Sequence, residues 1–416
     1  MTSGSSPQVA LRKNLARSIR RGHPWIFRDA LRPPTATGPA LDDGTLVTVT
    51  TPDGLPLARG IWDTQSSIAV RVLQLVPSGA PGAASSSGRR AVEPAESVVA
   101  GRVEAALDRR LALLDRRHTD AFRFLHGEAD ALPGVHADLY GDAIAVRFDG
   151  AGARAFYADR IDLPRLLVAT AQRRSIAVSS VIERRRGEDD TAHALVGHLP
   201  AGEIVVREND LLFGVDLARG QKGGLFLDQR DNRAHVRGLA AGRRVLNLFG
   251  YTGGFSIYAA AGGATHTTTV DVARGAVLAA RQNFERNGLS LQAAELHAED
   301  AFAFLDRAAR ERASYDLVLS DPHSFAPSRK ALPAALRAYR RLHRLCATVV
   351  APGGILCAAS CSSHVGRDDF ARTIAQGAAD ARRTWVLDEM RGAAPDHPVT
   401  PQFPEGDYLK FAVGRV

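Results

Sequence analysis

The chain has 416 residues, 45% of them hydrophobic, and a formal net charge of +8. That length fits two or three domains with sizeable cores, and no apolar run is long enough to cross a membrane as a helix. The three cysteines, Cys346, Cys357 and Cys361, make neither a disulfide framework nor a Cys-x-x-Cys zinc pair, so a reducing cytoplasm is expected. Residues 1–7 are polar with no apolar segment after them, so no secretory leader is expected. A basic balance suits a polyanion such as RNA. It is weak support, because only four of the 53 basic residues are lysine, an arginine bias that a GC-rich genome gives equally.

Residues 8–76 open with a basic segment containing Arg12, Lys13, Arg17, Arg20 and Arg21. Alternating stretches then begin at Leu46, Leu57 and Ile68, separated by Asp-Gly turns, which predicts a small β domain. Residues 77–97, whose first part is rich in Ser, Gly, Ala and Pro, read as a linker. Residues 98–200 read as a compact α/β domain. Val103, Ala106, Leu107, Leu111 and Leu114 share one stripe of a helix over 103–117. A turn-rich block follows over 126–140, then a strand from Ala143, a helix near 160–173 and a strand over 175–182. His126, Glu128, Asp130, His136 and Asp138 are metal-ligand types, but the intervening Leu132-Pro-Gly134 reads as a turn and no metal is expected. Arg184-Arg-Arg186 and the N-terminal basic residues are candidates for phosphate contacts, which position RNA without reading its sequence.

From about residue 201 to 416, strands alternate with helices, the pattern of a mostly parallel sheet. Ligands of such sheets bind beyond the carboxyl ends of the strands. Residues 245–249 form an apolar strand that runs into Gly250-Tyr-Thr-Gly-Gly254, where glycines let a backbone approach a ligand. A second strand ends at Asp271, 21 residues after Gly250, the spacing of a ribose-binding acid. The turn is not Gly-x-Gly-x-x-Gly, so a dinucleotide is disfavoured and S-adenosylmethionine, which has no pyrophosphate to seat on a helix N-terminus, fits better. A third strand leads to Glu299-Asp300, placed to accept from an adenine amino group. A fourth ends at Asp321-Pro-His-Ser-Phe325. An acid after a strand is often only a helix N-cap, and Asp300 alone is readable that way; four strand ends in order carry the argument.

Residues 352–362 read as a turn, an apolar strand and a polar end, with Cys361 between two serines. A thiolate adding to carbon 6 of cytosine makes carbon 5 an enamine that attacks a sulfonium methyl, which is covalent catalysis by an activated nucleophile. The competing reading is a small buried packing residue. Cys346, on an apolar helical stripe, and Cys357, in mid-strand, are expected in the core. Asp321 would grip the base's amino group and ring edge. Phe325 would stack on the base or join the core. Tyr339 has no reading beyond packing.

These residues complete a pattern. From about residue 8 onward the chain resembles the bacterial 23S rRNA large-subunit cytosine-5 methyltransferase I family. The resemblance rests on Arg20-Arg-Gly-His-Pro-Trp-Ile-Phe27, Leu57-Ala-Arg-Gly60, His126-Gly-Glu-Ala-Asp-Ala-Leu-Pro-Gly134, Gly220-Gln-Lys222, Phe226-Leu-Asp-Gln-Arg-Asp-Asn-Arg233, Leu246-Asn-Leu-Phe249, Tyr251-Thr-Gly-Gly-Phe255, Ser360-Cys-Ser362, Asp396-His-Pro398 and Pro404-Glu-Gly-Asp-Tyr-Leu-Lys410. It implies an N-terminal PUA β domain, a small α/β middle domain and a class I Rossmann-like methyltransferase domain. It implies S-adenosylmethionine as cofactor, 23S rRNA as partner, no membrane and a cytoplasmic protein, with a homodimer left open. It places Cys361 as nucleophile and Asp321 as base-gripping acid. Asn247, Phe249, Tyr251, Thr252, Gly253, Asp271, Asp300, Asp321, Gln229 and Arg230 would line the cofactor, and Phe325, His323 and Lys222 the substrate.

The sequence departs from that pattern twice. His323 replaces the second proline of Asp-Pro-Pro-x-Phe, which loosens the loop presenting Asp321 and adds a titratable ring. Gly223 replaces the threonine of Gln-Lys-Thr-Gly. Two rival readings follow: a methyltransferase of the same fold diverted to RNA guanine or a small molecule, and a non-catalytic rRNA-binding assembly protein. Guanine N7 needs no covalent thiol, so Cys361 argues for cytosine.

Overall fold

The structure, a computed structural model, describes residues 6–33, 40–77, 93–185, 191–218 and 224–416. Its contacts divide the chain into two compact units: residues 1–115, 122–199 and 398–406 in one, and 116–121, 200–397 and 407–416 in the other.

The first unit holds two five-stranded sheets. The N-terminal sheet contains Gln8–Ala10, Trp25–Phe27, Leu46–Thr50, Pro56–Trp62 and Ile68–Leu75, and its last three strands form an antiparallel meander. Val47, Val49, Leu57 and Val70 are buried in one cluster, and period-two alternation turns Val47 and Val49 of Leu46–Thr50 inward. The second sheet contains Ala121–His126, Val135–Tyr140, Ala143–Phe148, Ser180–Arg184 and Ala192–Val196. Ile61 and Leu73 of the first sheet lie in one buried cluster with Val99, Phe122 and Ile144 around the second, so the two sheets share a core.

Local readings in this unit need two corrections. The block 126–140 is not all turn: Val135–Tyr140 is a strand, with Val135, Ala137 and Leu139 buried between partly exposed His136 and Asp138. Its short alternation was masked by the preceding Pro-Gly. The helix expected over 103–117 spans Ala95–Leu113. It begins inside the expected linker, of which residues 78–92 lie outside the described residues, and it ends because Leu114 turns extended. At the His126 cluster, the guanidinium of Arg123 lies 2.8 Å from His126 Nδ1 and 3.2 Å from His136 Nδ1, and pairs with Asp138 at 2.5 Å. Arg123 thus links the two imidazoles and Asp138 of the cluster. Of the Arg184-Arg-Arg186 run, Arg186 lies outside the described residues.

The second unit is built on one seven-stranded sheet. In chain order its strands are β1 (Arg244–Leu248), β2 (His266–Asp271), β3 (Ala294–Ala298), β4 (Tyr315–Ser320), β5 (Val350–Ser360), β6 (Val386–Arg391) and β7 (Lys410–Arg415). They lie side by side as β3-β2-β1-β4-β5-β7-β6. β1 to β5 are parallel, and β7 runs antiparallel between β5 and β6. Val245, Leu246, Leu248, Leu317, Val318, Leu319, Leu356 and Cys357 are all buried. Continuous apolar runs of this kind belong to strands covered on both faces. The covering helices are α1 (Arg230–Leu239), α2 (Gly254–Ala261), α3 (Arg274–Arg286), α4 (Ala301–Arg310), α5 (Leu332–Val349) and α6 (Arg367–Asp380). α5 starts with Pro333 in its first turn and buries Ala335, Tyr339, Leu342, Cys346 and Val349 on one stripe.

Strand order reverses between β1 and β4, since one half of the sheet winds away from β1 and the other from β4. That topological switch point leaves a crevice above the carboxyl ends of the two strands. No helix among the described residues is long and apolar enough to cross a membrane.

Candidate active site

The ladder aligns Val270, Leu248, Ser320 and Ala358 in one row across β2, β1, β4 and β5. One residue further along stand Asp271, Phe249 and Asp321. Asp271 and Asp321 therefore flank the switch point two strand spacings apart, about 10 Å. Cys361 follows the last residue of β5 on the same edge.

The loop after β1 is shaped by its backbone. Phe249, Tyr251 and Gly253 have φ of 57°, 48° and 80°, so left-handed residues alternate through the turn. A Cβ on Gly250 would stand 2.5 Å from Thr269 Cγ2, which is why that position has no side chain. Asp271 ties the loop down: Oδ2 accepts from Tyr251 N at 2.8 Å and Oδ1 from Ala273 N at 2.9 Å. Each carboxylate oxygen has further lone-pair capacity, and the half-exposed side chain can offer it to paired hydroxyls of a ribose. Behind the loop, Asn247 donates to Ser256 Oγ at 2.9 Å, which meets Thr269 Oγ1 at 2.7 Å. Asn283 donates to the Thr252 carbonyl at 2.9 Å, and Thr252 Oγ1 to the Gly224 carbonyl at 3.0 Å. Asn247 and Thr252 are thus buried supports of the turn. Tyr251 meets Phe226 edge to face at 5.4 Å.

The other expected cofactor residues divide. Asp300 caps α4, its Oδ1 accepting from Ala303 N at 3.0 Å. Arg230 is turned to Asp396 in a two-pronged pair at 2.9 and 3.0 Å, buried on both sides. Burial would raise the Asp396 carboxyl, but His397 and Arg230 hold it well below the usual carboxylate range. The guanidinium of Arg230 is therefore held by the segment after β6. Gln229 donates to Asp321 Oδ2 at 3.0 Å while its own carbonyl accepts from Asn232 at 2.6 Å. It aims Asp321. Lys222 and Gly223 lie outside the described residues.

Beyond β4, Phe325 is partly buried against the ring of Tyr339 at 4.7 Å, and the exposed His323 ring meets Phe325 edge-on at 5.4 Å. The Tyr339 hydroxyl lies 2.9 Å from Ser360 Oγ and 3.4 Å from Ser362 Oγ, and Ser324 Oγ is 2.7 Å from Ser362 Oγ. Ser360 and Ser362 are buried; Cys361 between them is half-exposed. Burial pushes the thiol of Cys346 up to about 12 and that of Cys357 higher still, which makes both poor nucleophiles.

Two functional neighbours were missed in the sequence. Tyr339 looked like packing alone but also pins the two serines beside Cys361. Lys410, paired with Ser360 across the β5–β7 ladder, is 1% exposed and donates to the Ser362 carbonyl at 2.5 Å and the Tyr408 carbonyl at 2.7 Å. A lone lysine opening an apolar strand, Lys410-Phe-Ala-Val413, in a chain with four lysines was the available signal.

Comparison with known proteins gives the family and the fold. Residues 123–400 match the family model of S-adenosylmethionine-dependent methyltransferases, and residues 9–75 that of a PUA-like domain. A ribosomal RNA large subunit methyltransferase I from Shewanella denitrificans is 33% identical over 98% of this chain and 99% of its own length. One from Klebsiella pneumoniae is 33% identical over the whole of both chains. A ribosomal RNA large subunit methyltransferase from Deinococcus radiodurans is 34% identical over 98% of this chain and 97% of its own. A solved structure from Streptococcus mutans, described as a SAM-dependent methyltransferase, superposes with a TM-score of 0.80 at 22% identity, covering 99% of this chain and 100% of that one. A further one, described as a methyltransferase complexed with SAH, also has a TM-score of 0.80, at 23% identity with the same coverage. Those two likenesses establish the fold.

Proposed function

The chain belongs to the S-adenosylmethionine-dependent methyltransferases, in the ribosomal RNA large subunit methyltransferase I family, and from that premise we propose that it forms 5-methylcytidine in 23S rRNA, in the cytoplasm, through a covalent Cys361 adduct. The carrying observation is a half-exposed thiol at the carboxyl end of β5, on the edge that bears Asp271 and Asp321, while the other two thiols are buried.

Carbon 5 of cytosine is a poor nucleophile. When the Cys361 thiolate adds to carbon 6, an Sγ–C6 bond forms and the double-bond electrons move to carbon 5. S-adenosylmethionine, when bound, supplies the electrophilic methyl. Once carbon 5 is methylated, its proton leaves to a solvent base, the C5–C6 double bond re-forms, and the thiolate departs unchanged. Asp321, aimed by Gln229, accepts from the exocyclic amino group and fixes the ring edge. Asp271 binds the ribose of the cofactor. Phe325, packed against Tyr339, borders the base with His323.

The test is transfer of tritiated methyl from S-adenosylmethionine into naked 23S rRNA, followed by nucleoside mass spectrometry. Label in 5-methylcytidine that vanishes in Cys361→Ala is the expected result. Label in a guanine nucleoside, or none in RNA, would overturn the cytosine reading. The exposed His323 beside Asp321 keeps a changed base as the second reading, and the same experiment decides between them.

A further inference from the structure

A buried cation beside the candidate nucleophile asks for an anion. Lys410 is almost wholly buried. Its ammonium has three N–H donors; two go to the carbonyls of Ser362 and Tyr408, neither of which carries a charge. Among the described residues it forms no ion pair. The nearby carboxylate of Asp407 is engaged instead by Arg367, at 3.0 and 3.2 Å. A buried ammonium without a counter-charge is costly, and proteins avoid it by pairing or by neutralising the group.

The backbone shows which groups stand beside it. Lys410 faces Ser360 across the ladder and holds the Ser362 carbonyl, so it brackets Cys361 from both neighbours. Ser360 and Ser362 are in turn held by Tyr339. The charged and titratable groups facing the ammonium are Asp407, Arg367 and Cys361. Burial pushes Lys410 down to about 8, while Asp407 and a Cys361 thiolate pull it back up. The coupling is reciprocal: whatever the thiolate does for the ammonium, the ammonium does for the thiolate.

We propose that Lys410 is a positioning residue that holds Cys361 as its thiolate at neutral pH, the thiol proton having been released to solvent. This deepens the reading of Cys361 as nucleophile and rests on it for its purpose. A free thiol ionises near 8.5, so at pH 7 only a few per cent would be reactive. The arrangement also accounts for lysine at this position. An ammonium is a compact point charge that fits between two carbonyls, where a planar guanidinium would not.

The experiment measures the rate of Cys361 alkylation by iodoacetamide between pH 5 and 10 in the full chain, read at the Cys361 peptide by mass spectrometry. The buried Cys346 and Cys357 serve as internal controls for folding. In the wild type the profile should turn over below pH 7.5. In Lys410→Met it should move up by at least one pH unit, slowing alkylation at pH 7 about tenfold. A wild-type inflection at or above 8.5 overturns the proposal, and does so even if Lys410→Met fails to fold. A folded Lys410→Met with an unmoved profile also overturns it. Methyl transfer by Cys361→Ala separates the two ideas. An active Cys361→Ala with a Lys410-dependent profile would sink the nucleophile and leave the ion pair. An inactive Cys361→Ala with an unmoved profile would do the reverse.

Discussion

At Asp271 a carboxylate organises a loop through two backbone amides; at Cys361 a thiol is organised by side chains from three other elements. The first device is nearly local. Tyr251, in the loop after β1, and Asp271, at the end of β2, are 20 residues apart, and glycines absorb the backbone conformation. The second joins Tyr339 on α5, Ser324 after β4 and Lys410 on β7 around a two-serine frame. A ligand that is bound and released needs an exposed acceptor on a stiff loop. A reacting thiol needs its charge set, and a partly exposed, electropositive surround with a placed cation does that.

Substitutions should separate the two ends. Cys361→Ala removes the covalent step and is expected to lower cytosine methylation on the order of a thousandfold or more, with S-adenosylmethionine affinity by calorimetry unchanged. Retained turnover would sink the covalent mechanism. Asp271→Ala is expected to weaken cofactor binding by about 1.5–3 kcal/mol, the worth of hydrogen bonds to a charged acceptor, while leaving the alkylation rate of Cys361 as it was. An unchanged dissociation constant would take Asp271 out of the pocket. Tyr339→Phe strips a buried hydroxyl from Ser360 and Ser362 and should cost about 1–3 kcal/mol in unfolding free energy. It should also slow methyl transfer without touching cofactor affinity; a cofactor effect would mean that the two ends are not independent.

The last effect is a pH dependence read at one end. His343 stacks on Tyr339 at 5.9 Å, and burial depresses its imidazole to about 3 from 6.5. It is neutral when folded, whereas the unfolded chain takes up a proton below 6.5. Stability from this group is therefore complete above pH 6.5 and declines as pH falls toward 3, by up to about 1.4 kcal/mol per pH unit. Hydrogen exchange at pH 5 should show Ser362 losing protection relative to pH 7 before Tyr251 does. His343→Gln should flatten the dependence, and an unchanged slope in that variant would assign it elsewhere.

Composition and pattern made much of the architecture readable. The buried strands of the seven-stranded sheet were legible because parallel strands covered on both faces are runs of apolar and β-branched residues. The glycine turn, Asp271 and Asp321 were legible because turn chemistry and strand-end acids are local and come in chain order. Cys361 stood out by its polar neighbours, although those serines turn out to be buried and to hold the turn. The strand Val135–Tyr140 was missed for a local reason too, its alternation being short and flanked by turn residues.

What the tertiary structure alone decided is the company each group keeps. Gln229 meets Asp321 across 92 residues, Arg230 meets Asp396 across 166, and Lys410 reaches Ser362 across 48. No periodicity or spacing encodes such pairs. The sequence writes down which faces are apolar and where strands stop, because those follow from neighbours along the chain. The partner of a buried charge is set by where strands lie in the sheet, and here it is the insertion of β7 between β5 and β6 that brings an ammonium to the Ser362 carbonyl beside Cys361.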